Sequence, residues 1–212
     1  MEQRKASAMV EANTQWQIPP LCPELRLRLF APDGPMAMTW ANKLFHYDGP
    51  RPYWAFCWGS GQVLARHILD RPEAVRGRRV IDMGTGSGVA AIAAAKAGAT
   101  DVLAVDRDPL ARMAAMMNAA ANGVHLAVAD LDLDDVLASR PELLLAADIC
   151  YEDSGARWLA AFHKAGIPVL VADPGRPGLP RSYLEPLVTQ AALTFPELED
   201  PELNSATVYQ FR

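Results

Sequence analysis

"VIDMGTGSG", residues 80 to 88, reads as a strand that runs directly into a glycine turn. Val80 and Ile81 are β-branched, Asp82 closes the apolar run, and Gly84, Gly86 and Gly88 follow at alternate positions. Glycine permits a positive φ and lets a ligand touch the backbone. The next residues, VAAIAAAKAGA, have high helix propensity and a glycine stop at Gly98. Strand, glycine turn and helix in that order form the opening unit of a parallel sheet.

The rest of the chain repeats the unit. DVLAVD (101 to 106) is a second apolar strand. A second helix follows, DPLARMAAMMNAAANG, with Asp108 as N-cap, Pro109 at the first helical position and Asn122-Gly123 as the stop. HLAVAD (125 to 130) and LLLAADIC (143 to 150) are the third and fourth strands, and a helix near Gly155 to Lys164 leads to IPVLVADPG, the fifth. ALTF (192 to 195) and ATVYQF (206 to 211) are expected to pair as a terminal hairpin. Upstream, QVLARHIL (62 to 69) has helical spacing and stops before Pro72, and ELRLRLF (24 to 30) alternates as a half-buried strand. Residues 1 to about 20 read as a frayed helix ending at Pro19-Pro20, and an irregular stretch closes at Asp48-Gly49-Pro50. Apolar strands alternating with helices predict an α/β protein whose parallel sheet is covered on both faces. The expected division is an N-terminal extension with a short strand, residues 1–50, and a ligand-binding domain, residues 51–212.

The totals narrow the function. A chain of 212 residues with 50% hydrophobic and 21% charged residues suits a globular domain with a proper core. A formal net charge of -5 argues against a nucleic-acid binder. Cys22, Cys57 and Cys150 are few, odd in number and widely spaced, so neither a disulfide framework nor a metal site is expected. His46, His67, His125 and His163 are scattered, with no metal role. No apolar stretch approaches the ~20 residues of a membrane span. The N-terminal residues lack a signal peptide's apolar run, so a cytoplasmic location is expected.

The motifs carry the chemistry. A dinucleotide fingerprint places glycines at first, third and sixth positions. Here Val89 holds the sixth position and the third glycine comes one residue early. Asp82 would meet a pyrophosphate with like charge, but it suits a ligand with a cationic amino-acid end. With Gly84, Thr85, Gly86 and Gly88, it points to S-adenosylmethionine over NAD. In LAVDRDP, Asp106 ends the second strand where an acid grips both ribose hydroxyls, with Arg107 beside it. Asp108 already fills the cap role. In VADLD, Asp130 is placed to accept from the adenine amino group and Leu131 to pack on the ring. A solvated acidic turn with Asp132, Asp134 and Asp135 is the competing reading.

AADICYE (146 to 152) sits beyond the fourth strand, where ligands of open α/β sheets lie. Asp148 and Tyr151 are therefore expected near the reacting methyl group, and Ala147 among the residues that bind the cofactor. Asp148 can orient an ammonium and Tyr151 can wall the pocket; a strand-end acid capping the next segment is the alternative. DPGRPGLP (173 to 180) reads as a stiff loop at the same edge, either lining a substrate entrance or purely structural. The aromatic run RPYWAFCWGSGQ (51 to 62) reads as core for Tyr53 and Phe56, and as a wall over the methionine end of the cofactor for Trp58.

Together these residues resemble a class I S-adenosylmethionine-dependent methyltransferase. More narrowly, PYWAFCW, DMGTGSG, DRDP, the D-x-x-Y of DICY, and DPGRPGLP resemble the bacterial electron transfer flavoprotein β-subunit lysine methyltransferases, from about Pro50 to the C-terminus. The resemblance implies a Rossmann-like seven-stranded, mostly parallel sheet with an antiparallel C-terminal strand. It implies S-adenosylmethionine as cofactor and a lysine of a folded flavoprotein partner as acceptor. It also implies that Trp58 borders the cofactor and that Asp148 and Tyr151 mark the acceptor pocket. Gly59 departs from a frequent proline of that family, and Pro177-Gly178 from a frequent tyrosine. A small-molecule N-methyltransferase and a non-catalytic partner-binding module are the other functions weighed. The first needs a lid insertion absent here, and the second has no need of Asp82, Asp106, Asp148 and Tyr151 together.

Overall fold

The computed structural model describes residues 2–39, 51–151, 153–195 and 203–211. The predicted Asp48-Gly49-Pro50 turn and His46 lie outside them. The chain opens with α1 (Glu2–Asn13), β1 (Thr14–Gln17) and β2 (Leu27–Phe30). After the aromatic run come α2 (Gly59–Asp70), β3 (Arg79–Met83), α3 (Val89–Lys96), β4 (Asp101–Val105), α4 (Pro109–Ala121), β5 (Ala127–Ala129) and α5 (Leu133–Ser139). The order ends with β6 (Leu143–Ala147), α6 (Asp153–Ala165), β7 (Val169–Asp173), β8 (Leu184–Ala191) and β9 (Ser205–Phe211).

Strands β3 to β9 form one seven-stranded sheet in the order β5-β4-β3-β6-β7-β9-β8. β9 runs antiparallel to both neighbours and the remaining pairs are parallel, as the sequence led us to expect. β7 is buried along its whole length and β6 nearly so, which is why both read as unbroken apolar runs. Alternate residues of each strand serve opposite cores. Leu143, Leu145, Leu170 and Ala172 pack with α2 and α3, whereas Leu144, Ala146, Val169 and Val171 pack with Val136 of α5 and Leu159 and Phe162 of α6. On the first face α2 packs closely on α3. A Cβ on Gly61 of α2 would lie 3.0 Å from Val89, so the two helices nearly touch.

Three expectations need correction. The N-terminal helix stops at Asn13, ahead of Pro19-Pro20, because Thr14–Gln17 pairs antiparallel with Leu27–Phe30. The acidic stretch after β5 is no open turn: Asp132 N-caps α5, accepting from the Asp135 amide at 2.9 Å. In the terminal hairpin, β9 pairs with Leu184–Ala191, not with ALTF. Pro186 hides this strand from a sequence reading, yet it sits on an edge strand beside a register shift, where a missing N–H costs little. Phe195 of ALTF instead bridges Cys57 of the aromatic run.

Candidate active site

The C-terminal ends of β3, β4, β6 and β7 bring the predicted residues to one edge of the sheet. Gly84, Gly86 and Gly88 all have positive φ (66°, 51° and 84°). Space alone does not explain the first two. A Cβ on Gly84 would meet Ile149 at an ordinary 3.5 Å, and one on Gly86 the Trp54 backbone at 3.7 Å. Glycine is required there for its backbone conformation, and it leaves the loop surface bare. Gly88 differs, because a Cβ there would press within 3.1 Å of Ala115, so this glycine seats α4 against the loop.

Asp82 lies beneath the turn, fully buried, and accepts a 2.6 Å hydrogen bond from Thr85 Oγ1. Burial pushes its carboxyl up to about 7, against the pull of the Thr85 hydroxyl and the Ala91 amide at the start of α3; Asp106 nearby adds to the rise. Thr85 is itself buried, and its amide donates to Val105 at 3.0 Å, tying the loop to β4. Asp106, just past β4, accepts from the Gly86 amide at 3.0 Å and the Asp108 amide at 2.9 Å. Burial raises its carboxyl, and these two amides oppose the rise. A carboxylate has about four acceptor sites, so two remain for a diol.

The end of β5 is more open. Asp130 is 60% exposed and ion-paired to Arg112 at 3.4 Å. Arg112 also donates to the Asp106 carbonyl at 2.6 Å, so it holds the strand ends of β4 and β5 together. Arg107 is exposed beside them, Leu131 is half-buried against the α5–α6 core, and Ala147 packs on the opposite face at the end of β6.

The aromatic run folds over this edge. Tyr53 forms edge contacts with both Trp58 and Tyr151 at 5.6 Å, and Phe56 lies 6.0 Å from Trp58. Trp58 Nε1 donates to the Tyr53 carbonyl at 2.8 Å. The Trp54 backbone also borders the glycine turn, 3.7 Å from a Cβ built on Gly86. The departure at Gly59 has a steric reason: its Cβ would sit 3.1 Å from the Ala192 carbonyl.

Beyond the end of β6, Tyr151 is 48% exposed. Asp148 has φ 51°, rare for a residue with a Cβ, and its amide donates to Ala172 at 2.9 Å. Its carboxylate is held by Arg176, with Nε and Nη2 each 2.8 Å from an oxygen. The acid is therefore ion-paired to the DPGR loop.

The cofactor fits this edge: a bare glycine turn, a strand-end acid with two open acceptor positions, and a buried acid below. The family profile for ribosomal protein L11 methyltransferase (PrmA) matches residues 63–149. An L11 methylase from Lactobacillus delbrueckii subsp. bulgaricus shares the fold, with TM-score 0.52 and 24% identity over 72% of this chain and 78% of that one. A magnesium protoporphyrin IX methyltransferase from Synechocystis PCC 6803, solved with bound S-adenosylmethionine, also shares it: TM-score 0.52, 16% identity, 84% and 92% of the two chains. The electron transfer flavoprotein beta subunit lysine methyltransferase of Rattus norvegicus is 35% identical over 211 residues, covering 96% of this chain and 82% of the rat protein. That of Homo sapiens is 34% identical over 97% of this chain and 81% of its own. The chain belongs to this family. It is an S-adenosylmethionine-dependent methyltransferase.

Two residues of this methyltransferase escaped the sequence reading. Arg176 gave no signal beyond its place in the DPGR loop. Asn118, on α4, is fully buried; its Nδ2 donates to the Ser87 carbonyl of the glycine turn at 2.8 Å and its Oδ1 accepts from the Arg28 amide of β2 at 2.6 Å. One turn later, Asn122 accepts from the Arg26 amide at 3.1 Å and donates to its carbonyl at 2.7 Å. An asparagine pair at helical spacing thus completes the edge of β2 and couples the N-terminal hairpin to the cofactor turn. Asn at i and i+4 amid alanines is the one trace of this in the sequence.

Proposed function

We propose that this methyltransferase modifies lysine side chains of the electron transfer flavoprotein β subunit. The reading rests on its family, and on one structural observation. A Cβ at Gly84 would meet Ile149 at 3.5 Å, so the loop carrying Asp148 and Tyr151 lies against the cofactor turn. When bound, S-adenosylmethionine supplies a sulfonium methyl carbon that an amine lone pair attacks in line, as the carbon–sulfur bond breaks and its electron pair goes to sulfur.

The residues of the chain do the rest. Asp106 and the glycine turn fix the cofactor, so the approach of the amine is a matter of orientation. A free lysine has a pKa near about 10.4, and it must lose its proton to solvent before it can attack. Asp148 accepts from the amine N–H to aim the lone pair, while Tyr151, braced by Tyr53, walls one side of the approach.

The test uses radiolabelled S-adenosylmethionine and the folded electron transfer flavoprotein of the same host, with mass spectrometry of the β subunit. Label on defined lysines is expected. An unlabelled β subunit, with cofactor binding confirmed by calorimetry, removes the assigned partner; preferential label on free small amines moves the enzyme to another acceptor class.

A further inference from the structure

We propose that Arg176 is a positioning residue for methyl transfer: its fork on Asp148 balances the acid's charge at the acceptor mouth, leaving the incoming amine free to shed its proton. This rests on the acceptor site placed above at Asp148 and Tyr151.

The geometry is built for that fork. Asp173, at the end of β7, accepts from the Gly175 and Arg176 amides, both at 2.7 Å, and so shapes the turn that delivers the guanidinium. Gly178 closes the turn against the other loop; a Cβ there would sit 2.9 Å from the Cys150 carbonyl. The Asp148 amide is tied to Ala172, one residue before Asp173. Asp148 is thereby held in its left-handed conformation, its side chain only 10% exposed, with one guanidinium nitrogen on each oxygen. Strained backbone held by several independent contacts is characteristic of functional positions.

The charge arithmetic gives the fork its role. A bare carboxylate beside a lysine favours the ammonium, which has no lone pair to donate. A carboxylate already paired with arginine still offers its outer lone pairs to an N–H, yet it holds an ammonium less strongly. Lysine in place of Arg176 would supply the charge without the planar two-point grip. The other charged or titratable groups around Asp148 leave this role to Arg176. Asp173 is 1% exposed; burial pushes its carboxyl up, the Gly175 and Arg176 amides oppose the rise, and its Oδ1 is committed to those amides within its own turn. Burial pushes the Cys150 thiol up to about 12. Arg181 donates to the Gly175 carbonyl at 3.2 Å, and Arg51 stacks over Tyr53 behind Tyr151.

Single-turnover methylation of the folded flavoprotein β subunit, followed from about pH 6.5 to 10, tests the proposal. Arg176→Gln should move the rising limb of the rate at least about one pH unit to the alkaline side and cut the rate at pH 7.5 roughly 10-fold or more. Arg176→Lys should return the midpoint to the wild-type value while leaving part of the rate loss. Cofactor affinity should stay within about twofold in both variants, which separates the effect from misfolding. A wild-type midpoint in Arg176→Gln overturns the proposal, as does a rate loss with no pH displacement. Asp148→Asn in the same series separates it from the reading beneath. Lost turnover in Asp148→Asn with an unmoved midpoint in Arg176→Gln retains the acceptor site and discards the Arg176 role. Wild-type turnover in Asp148→Asn discards both, as does failure of the wild-type enzyme to methylate the β subunit.

Discussion

At the ends of β3 and β4, the two acids that shape the site find hydrogen-bond partners close along the chain as well as across the strands. Thr85 reaches Asp82 three residues away and Asp106 caps an amide two residues on, with Gly86 at a separation of 20. At the ends of β6 and β7, the deciding contact is the Asp148–Arg176 fork, 28 residues apart. The first region is a binding surface whose shape comes from glycine backbone and one strand-end acid. The second is two loops latched on each other. Substitutions in the first should therefore appear in cofactor affinity, and those in the second in acceptor affinity and rate.

The largest effect belongs to the cofactor side. As the proposed ribose ligand, Asp106 supplies two charge-assisted hydrogen bonds to a diol, each worth about 1.5–3 kcal/mol, so in Asp106→Ala the S-adenosylmethionine affinity by calorimetry should fall about 100-fold or more. Unchanged binding would place the ribose elsewhere and erase the contrast. Tyr151→Ala tests the other side. It should raise the KM for the protein acceptor roughly 10-fold through lost packing, with cofactor affinity held within about twofold; parallel losses in both constants would show that the two regions are one.

Asn118→Leu asks whether the binding surface is as local as it looks. It preserves volume but strips the Ser87 carbonyl and Arg28 amide of their partner, about 1–3 kcal/mol for each buried group left unpaired. Cofactor affinity should fall about 10-fold and Tm by roughly 3 °C or more. Wild-type affinity at a lowered Tm would make Asn118 a fold residue alone.

The smallest effect is read in pH. The folded Asp82 carboxyl, at about 7, lies above its ordinary 3.8, so between these values the folded state binds more protons than the unfolded one. Its stabilising contribution is complete below pH 3.8 and is lost as pH rises to about 7. Relative to Asp82→Asn, the wild-type Tm should fall by about 3 °C or more across that interval. Parallel curves for the two proteins would mean Asp82 is ionised throughout.

The corrected elements show the same division between near and distant contacts. The glycine turn, the Asp108 cap and the apolar strands β3, β4, β6 and β7 follow local rules and were legible as written. Leu184–Ala191 was not, because Pro186 and an exposed alternate face are marks of a loop until an edge position makes them harmless. Asp132, Asp134 and Asp135 read as a solvated turn because a helix of seven residues carries too short an apolar period to be recognised.

The sequence by itself determined the class of sheet, the cofactor turn and the acids at the strand ends, since backbone conformation, strand burial and capping depend on residues close along the chain. Tertiary structure decided which charges meet. Arg176 neutralises Asp148 because the parallel sheet brings the ends of β6 and β7 to one edge, and Asn118 bridges β2 to Ser87 because α4 packs between the N-terminal hairpin and the glycine turn; sequence separation encodes neither proximity.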